Sequence, residues 1–266
     1  MLNKADVSPY VLLPGDPART AYIAKKYLKD SRLLAQNREF TSCGGIYKGI
    51  QITVTSTGIG CPSTAIAVEE LINIGAKILI RVGTCGGALK KEIKPGSIVI
   101  PTACIREEGT TREYIPYQFP AVADYTIVSA LQQAAKKNAY RYAIGINRTH
   151  DAFYGQSRNI KAWGSPFTDL RMKTWDYPVI SSEMEASALF IIALMRGVRA
   201  GAVLAVNSYP EPLKEIAIGK QSFTTPNTKI NTKEAEKSVD RTIQTALDAL
   251  VLLGNGGDKN VGTNTM

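Results

Sequence analysis

The sequence contains a single histidine, His150, among its 266 residues. Ser-His-Asp hydrolysis, Cys-His proteolysis and the HExxH metal site all depend on an imidazole side chain. The sequence therefore argues against all three chemistries together, and any catalysis must rest on other groups.

Cysteine and long apolar runs are also scarce. The four cysteines, Cys43, Cys61, Cys85 and Cys104, show no CxxC spacing, and one histidine is too few to complete a zinc cluster with them. We expect reduced, structural thiols. No stretch approaches the length of a bilayer-spanning helix, and residues 1–6 lack the basic-then-apolar pattern of a signal peptide. These absences predict a soluble, cytoplasmic protein that does not bind membranes.

The formal charge of +9 is not concentrated in one segment. Lysines and arginines are scattered, and no basic run is interleaved with aromatic residues as in chains that bind nucleic acids. A solvated basic surface is therefore favoured over a nucleic-acid partner. Individual arginines are more informative than the total charge.

Alternating strand and helix patterns predict an α/β fold. The length and a hydrophobic content of 44% fit one domain, which we assign to residues 1–254. Continuous apolar runs between helices are typical of a central, mixed, largely parallel twisted sheet covered by helices on both faces. The predicted strands are Tyr10–Pro14, Gln51–Ser56, Ile78–Val82, Ser97–Ile100, Tyr142–Ile146 and Ala202–Val206. The predicted helices include Ala186–Met195, Glu234–Leu253, one opened by Pro62 and closed by Gly75, and amphipathic segments around Ile23 and Leu131.

Two segments lack a clear period. Residues 157–177 contain two tryptophans and are interpreted as a loop or flap near a site. Residues 255–266 are polar and glycine-rich, so we expect a disordered tail.

Two arginines lie near glycines, one shortly after a predicted strand and the other inside a predicted strand. Arg19 ends the GDPAR segment that begins at Gly15, and Arg81 lies inside ILIRVGTCGG, just before Thr84. Ligands of α/β sheets collect at the carboxyl ends of strands, and glycines with forked guanidinium donors suit a phosphate. The alternative is that Arg81 pairs with Glu69 or Glu70 and that Gly15 belongs to an ordinary turn.

The segment SSEMEAS also allows two interpretations. Ser182 followed three residues later by Glu185 has the spacing of a capping box for the helix that starts there. Capping does not explain Glu183, so we favour a function for the acidic pair.

Several blocks of the chain, in order, resemble the nucleoside phosphorylases, the family of uridine phosphorylases and hexameric bacterial purine nucleoside phosphorylases. The likeness is closest to uridine phosphorylase and runs from about Val11 to about Leu253. Its carriers are PGDPAR at 14–19, NREF at 37–40, STGIGCPS at 56–63, RVGT at 81–84, FPAVAD at 119–124, FYGQSR at 153–158 and EMEAS at 183–187.

The resemblance implies phosphorolysis, in which inorganic phosphate is a co-substrate and no cofactor is required. It also implies a homo-oligomer, typically a hexamer, in which a neighbouring subunit lends one arginine to each phosphate site. The implied phosphate-binding residues are Gly15, Arg19, Arg81 and Thr84, with Arg38 from the neighbour.

The same resemblance assigns the nucleoside side of the site. It implies that the ribose is bound by Glu183, Met184 and Glu185, and that the base is bound by Phe153, Gln156 and Arg158. Arg81 and Arg158 carry the catalytic roles in this assignment. A potassium ion at a subunit interface would be matched by Glu39, Ile59 and Ser63.

The base-reading residues favour uridine as the substrate. Uracil presents two carbonyl acceptors and one N–H donor, which Gln156 and Arg158 complement. Purine-cleaving relatives carry an aspartate where this chain has Ser208, whereas uridine phosphorylases commonly have an arginine there. A purine nucleoside or methylthioadenosine phosphorylase therefore remains the alternative substrate class. A hydrolytic nucleosidase and a non-catalytic nucleoside-binding homologue also stay open as functions.

Overall fold

The computed structural model describes residues 2–4, 6–86, 93, 95–153, 179–207 and 232–256. Within these ranges the α-helices are α1 (Pro17–Tyr27), α2 (Cys61–Asn73), α3 (Tyr125–Lys137), α4 (Ala186–Met195) and α5 (Thr232–Gly256). The strands are β1 (Tyr10–Leu13), β2 (Lys29–Asn37), β3 (Phe40–Tyr47), β4 (Ile50–Thr55), β5 (Ile78–Cys85), β6 (Ile98–Glu107), β7 (Ala121–Val122), β8 (Tyr142–His150), β9 (Val179–Glu183) and β10 (Arg199–Val206).

The strands form one mixed sheet, as predicted. Its order is β2-β3-β4-β1-β5-β10-β6-β8-β9, with β7 paired to β6. Strands β4, β1, β5 and β10 are mutually parallel, and β6, β8 and β9 are parallel to one another but antiparallel to β10. A bridge between Gly86 and Ser182 joins the end of β5 to β9. The bridge shows that β9 lies next to the end of the central strand β5.

Strand β5 lies between two apolar layers. Ile78, Ile80 and Val82 belong to the core cluster that includes α3 and α5, whereas Leu79 belongs to the cluster that includes α2 and α4. All four side chains are at most 2% exposed. A strand covered on both faces shows a continuous apolar run, which is why its sequence predicted it.

Several predicted element ends agree with the structure. Helix α4 has the predicted bounds, and α2 carries Pro62 in its first turn. Backbone hydrogen bonds from Gly75 to Ile72 and from Ala76 to Leu71 close α2. The last helix continues to Gly256, past the predicted domain end at residue 254. Most of the predicted tail and all of the predicted flap at 157–177 lie outside the described residues. No helix in the described ranges is long and apolar enough to cross a bilayer.

Four strands were missed, β2, β3, β9 and the two-residue β7. Most of the edge strand β2 is exposed, and β3, its partner in a hairpin, is interrupted by two glycines. Neither shows the apolar run of a buried strand. Strand β9 ends in polar residues that enter the site described next.

Candidate active site

Arg81 lies inside β5 and is 5% exposed. The prediction that its strand stops at Val82 was wrong, because pairing with β10 continues through Cys85. The guanidinium lies beside Gly83 of the same strand, where an added Cβ would be 2.8 Å from Arg81 Nη2. Glycine at this position is what lets the arginine remain within the sheet.

Two carboxylates bind this arginine, one at the end of β9 and one just before α4. Arg81 Nε donates to Glu183 Oε2 at 2.9 Å, and Arg81 Nη2 donates to Glu185 Oε2. The alternative pairing with Glu69 or Glu70 is wrong, since Glu69 instead accepts two hydrogen bonds from Arg196 at 2.8 and 2.9 Å. Burial alone would lower the pKa of Arg81, but the charges of Glu185 and Glu183 raise it.

Glu183 is enclosed by donors. Its Oε2 also accepts the backbone N–H groups of Glu185 at 2.8 Å and Ala186 at 2.9 Å. Its Oε1 accepts from Asn147 Nδ2 at 2.8 Å and from Thr149 Oγ1 at 2.7 Å. The carboxylate is 5% exposed, so these contacts replace water almost entirely.

The predicted capping box does not form. Helix α4 begins at Ala186 with Glu185 as its N-cap residue, and no side chain of Glu185 caps it. Ser182 belongs to β9. Glu183 satisfies the first N–H groups of the helix instead, because its carboxylate lies beside the helix N-terminus.

Glu185 has fewer partners than Glu183. Besides the contact with Arg81, its Oε1 accepts the backbone N–H of Gly60 at 2.7 Å. Burial raises the pKa of Glu185; Arg81 opposes this and Glu183 adds to it. Met184, between the two acids, is half-buried, and its carbonyl accepts the Cys61 thiol at 3.2 Å.

One donor of Arg81 is buried without a partner. Nη1 has no hydrogen bond within the part of the chain that the structure describes. A Cβ at Gly15 would lie 4.0 Å from this atom and 3.2 Å from the carbonyl of Gly58, so the absence of a side chain leaves the approach to Nη1 open. Buried guanidinium donors are normally satisfied. The arrangement leaves a donor at the carboxyl end of β1 ready for an acceptor.

Arg19 adds a second positive charge at the same place. It lies in the first turn of α1, which Asp16 caps by accepting Ala18 N–H at 2.8 Å. Its Nη1 is 3.4 Å from the carbonyl of Val82, and burial followed by repulsion from Arg81 lowers its pKa. The structure thus brings together Gly15, Arg19 and Arg81 from separate segments. Thr84 is half-buried further along β5.

The remaining predicted residues are distributed around this centre. Arg38 is exposed in the turn between β2 and β3, with φ of 50°. Glu39 Oε1 accepts from Ser63 Oγ at 3.1 Å, whereas the Ile59 side chain is 79% exposed. Phe153, just after β8, is 64% exposed. Gln156, Arg158 and Ser208 lie outside the described residues.

Sequence reasoning missed Asn147 and Thr149. Both lie on β8, and their Cα atoms pair with Ser181 and Glu183 of β9. The sequence signal that could have found them is a pair of polar residues two positions apart directly after a predicted strand, because alternate residues of a strand point to the same face. The structure buries both of them fully.

The fold is that of an α/β protein, and its site places two arginines beside a pair of buried carboxylates. The chain belongs to the phosphorylase superfamily, whose family model matches residues 9–248. The match covers the strands and helices that supply every described residue of the site.

Similar proteins include more than one nucleoside specificity. The chain is 44% identical to a uridine phosphorylase of Treponema pallidum over 77% of this chain and 79% of that one. It is 36% identical to a guanosine phosphorylase of Halorubrum lacusprofundi over 95% of this chain and 97% of that one. The crystal structure of a uridine phosphorylase from Vibrio fischeri has a TM-score of 0.79 and 29% identity, covering 94% and 95% of the two chains. A purine nucleoside phosphorylase from Toxoplasma gondii, in complex with immucillin-H, has a TM-score of 0.80 and 33% identity, covering 96% and 95%.

Proposed function

We propose that this protein cleaves uridine with inorganic phosphate to give uracil and ribose 1-phosphate. The observation that carries the proposal is the unpartnered Nη1 of Arg81 beside Arg19. Two guanidiniums at the glycine-lined end of β1 suit a doubly charged oxyanion, because they supply charge and forked donors together. A hydrolase, which uses water, has no need of such a pair. Uridine phosphorylases among the relatives support the choice of nucleoside.

The reaction needs no histidine base because the nucleophile is already ionised. The bond between C1′ and N1 breaks with its electron pair remaining on uracil, while a phosphate oxygen forms the new bond to C1′. The proton of the hydrogen phosphate is released, and uracil takes up a proton at N1. In the proposed site Gly15, Arg19, Arg81 and Thr84 hold the phosphate, whose negative charge stabilises the oxocarbenium-like sugar.

The nucleoside would contact the opposite side of the site. We assign the sugar to the segment 183–185 and the uracil ring to Phe153, Gln156 and Arg158. Negative charge on the departing uracil resides on its two carbonyl oxygens, so an amide and a guanidinium there lower the barrier. Arg158 is therefore a catalytic residue in this proposal, together with Arg81.

We further propose a homo-oligomer, a hexamer built of dimers, in which Arg38 completes the neighbour's phosphate site. The exposed position of Arg38 at a hairpin turn supports a role outside its own chain. A role in pyrimidine salvage in the cytoplasm fits the proposed reaction. The four buried cysteines, none of them in a disulfide, are in keeping with a reducing compartment.

The donor set at the Glu39 turn fits a potassium ion at the same interface. Glu39 Oε1 and Ser63 Oγ lie 3.1 Å apart. Gly58 leaves the space beside them open, because a Cβ at this position would lie 2.5 Å from Ser63 Oγ. Oxygen ligands suit a hard monovalent cation. In this proposal Ile59 contributes its carbonyl, and the ion is structural.

The reaction is tested by base release from four nucleosides. Uridine, inosine, guanosine and methylthioadenosine are each incubated with the protein, with and without phosphate, and the free base is quantified by chromatography. We expect uracil only when phosphate is present. Uracil release without phosphate would indicate a hydrolase, and binding without turnover would indicate a nucleoside-binding protein.

Guanosine phosphorolysis is the second candidate function. A guanosine phosphorylase matches nearly the whole chain, at 36% identity over 95% of it. Rapid guanosine or inosine cleavage with inert uridine would replace the uridine assignment and leave the phosphate site unchanged.

The shared site is tested by mixing two inactive variants, Arg38→Ala and Arg81→Ala. In a mixed dimer one site receives both native arginines and the other receives neither. Co-refolding equal amounts should therefore restore activity in about a quarter of the sites by random pairing. If Arg38 acted within its own chain, the mixture would stay inactive.

A further inference from the structure

Arg148 is a buried arginine that the proposed reaction does not use. It lies on β8 and is 5% exposed. Glu107 of β6 accepts a hydrogen bond from its Nε at 2.6 Å and lies 2.5 Å from its Nη2. The side chain of Glu107 is 30% exposed, whereas that of Arg148 is 6% exposed. The acid therefore forms the outer end of the pair, and the positive charge lies inside the protein.

The other end of the guanidinium reaches the neighbouring strand. Arg148 Nη1 lies 3.4 Å from Ser182 Oγ on β9. The two residues are Cα partners in the parallel pair of β8 and β9, so their side chains lie on the same face of the sheet. Because Glu107 holds the Nε and Nη2 edge, Nη1 is directed towards the strand that ends in Glu183.

The same face of the sheet also carries Thr84. Ser182 is bridged to Gly86, whose backbone N–H donates to the Ser182 carbonyl at 2.9 Å. Directly paired residues share a face, and so do residues two positions apart on one strand. Thr84, Gly86, Ser182 and Arg148 therefore share one face at the strand ends. Gly86 has no side chain and Ser182 has a small one, so these two residues place little side-chain volume between Thr84 and the guanidinium.

We propose that Arg148 binds the base: its guanidinium donates a hydrogen bond to a carbonyl oxygen of the departing uracil. The inference rests on the proposed function, in which Thr84 binds the phosphate on this face. Phe153, which is assigned to the uracil ring, comes shortly after the end of β8, so the strand that carries Arg148 leads directly into the base-binding segment.

The chemistry of the reaction gives this cation a role in the transition state. As the bond between C1′ and N1 breaks, its electron pair moves onto uracil, and negative charge develops on the carbonyl oxygens. A buried guanidinium next to one of them stabilises the transition state more than the bound nucleoside. Arg148 keeps its own protons throughout, so the proton balance of the reaction is unchanged.

Glu107 is then a positioning residue for Arg148. Burial lowers the pKa of Arg148, and the hydrogen bond and the charge of Glu107 oppose that shift. The acid therefore keeps the guanidinium charged and fixes the direction of Nη1.

Two substrates that differ in the stability of the leaving base test the role of Arg148. Fluorine withdraws electrons, so 5-fluorouracil is a better leaving group than uracil and depends less on a nearby cation. Arg148→Met is compared with wild type on uridine and 5-fluorouridine at saturating phosphate, at a temperature where circular dichroism shows both proteins folded. We expect kcat/KM to fall about 50-fold on uridine and about fivefold on 5-fluorouridine.

Arg106→Met is the matched control, because Arg106 is also a buried arginine but donates only to residues 111–119. Any loss it causes should be equal on the two substrates within about twofold, since a change in folding does not depend on the leaving base.

Two milder variants keep the test available if Arg148→Met does not fold. Arg148→Lys retains the charge for Glu107 but loses the fork, and it should lower kcat/KM about fivefold more on uridine than on 5-fluorouridine. Glu107→Gln retains the arginine but weakens its hold, and the same ratio should be about threefold.

Equal losses on the two substrates in the folded Arg148 variants would overturn the inference while leaving the proposed function intact. So would a crystal with bound uracil and sulfate in which Arg148 makes no hydrogen bond to a uracil oxygen. Failure of the proposed function looks different, because the wild type would then release no base from either nucleoside. In that case calorimetry with uracil and sulfate decides: an affinity at least about fivefold weaker in Arg148→Met supports the contact, whereas equal affinity, or a wild type that binds no uracil, ends the inference as well.

Discussion

Two of the arginines buried on the described strands, Arg81 and Arg106, have very different partners. Arg106 on β6 is 3% exposed, and Arg81 on β5 is 5% exposed. All three nitrogens of Arg106 are occupied, by Thr111 Oγ1 and by the carbonyls of Thr111, Ile115, Pro116, Tyr117 and Phe119. Arg81 binds two carboxylates and keeps Nη1 without a partner in the described chain.

The difference separates an arginine whose donors are all satisfied from one that has a buried donor without a partner in the described chain. The partners of Arg106 are at most 13 residues away in sequence, so it organises the segment that follows its own strand. The partners of Arg81 are 102 and 104 residues away. A saturated guanidinium stabilises the fold, whereas an unsatisfied buried donor keeps free energy available for binding.

Replacing Arg81 should have the largest effect on activity. We expect Arg81→Ala, and also Arg81→Lys, to lower kcat/KM for uridine by at least about 10²-fold. A lysine keeps the charge but cannot serve two carboxylates and a phosphate with a planar fork. Steady-state phosphorolysis measures the change, and Arg196→Ala, which removes an exposed ion pair with Glu69, is the control. Native-like activity of Arg81→Lys would refute a role for the fork geometry.

Replacing Arg106 should instead reduce stability. Arg106→Ala removes six hydrogen bonds that hold residues 111–119 against β6, so we expect the free energy of unfolding to fall by about 3 kcal/mol, measured by urea denaturation. The fraction that remains folded should keep its phosphate dependence. If Arg106→Ala abolished turnover in a protein of native stability, the separation between the two arginines would be wrong.

Replacing Glu185, which contacts Arg81, should have a smaller and pH-dependent effect on the stability of the protein. The pKa of Glu185 is raised by burial and by Glu183, although Arg81 opposes the shift. A carboxyl whose pKa is raised by folding stabilises the protein fully below its unfolded pKa and loses that contribution as pH rises through the folded pKa. Without phosphate, Glu185→Gln should therefore gain stability relative to wild type between pH 4 and pH 7, and denaturation curves at both pH values test this. A relative loss over the same range would contradict the raised pKa.

The local sequence was sufficient for elements whose pattern reflects burial. The run at β5 and the bounds of α4 could be predicted because a covered strand and a buried helix must be apolar throughout. Edge strand β2 could not be predicted in this way, because exposed residues need no apolar pattern. The predicted capping box at Ser182 was wrong for a related reason. Its spacing is compatible with a helix cap, but Ser182 pairs within strand β9 instead.

Residue type and order alone predicted the α/β class, which the sheet confirms, and singled out Arg81, Glu183 and Glu185 as candidate site residues. Only the tertiary structure decided that Arg81 pairs with Glu183 and Glu185 rather than with Glu69, and that Asn147 and Thr149 complete the site. The reason is physical: hydrophobic periodicity is encoded in neighbouring residues, whereas hydrogen-bond saturation of a buried charge depends on which distant strands meet.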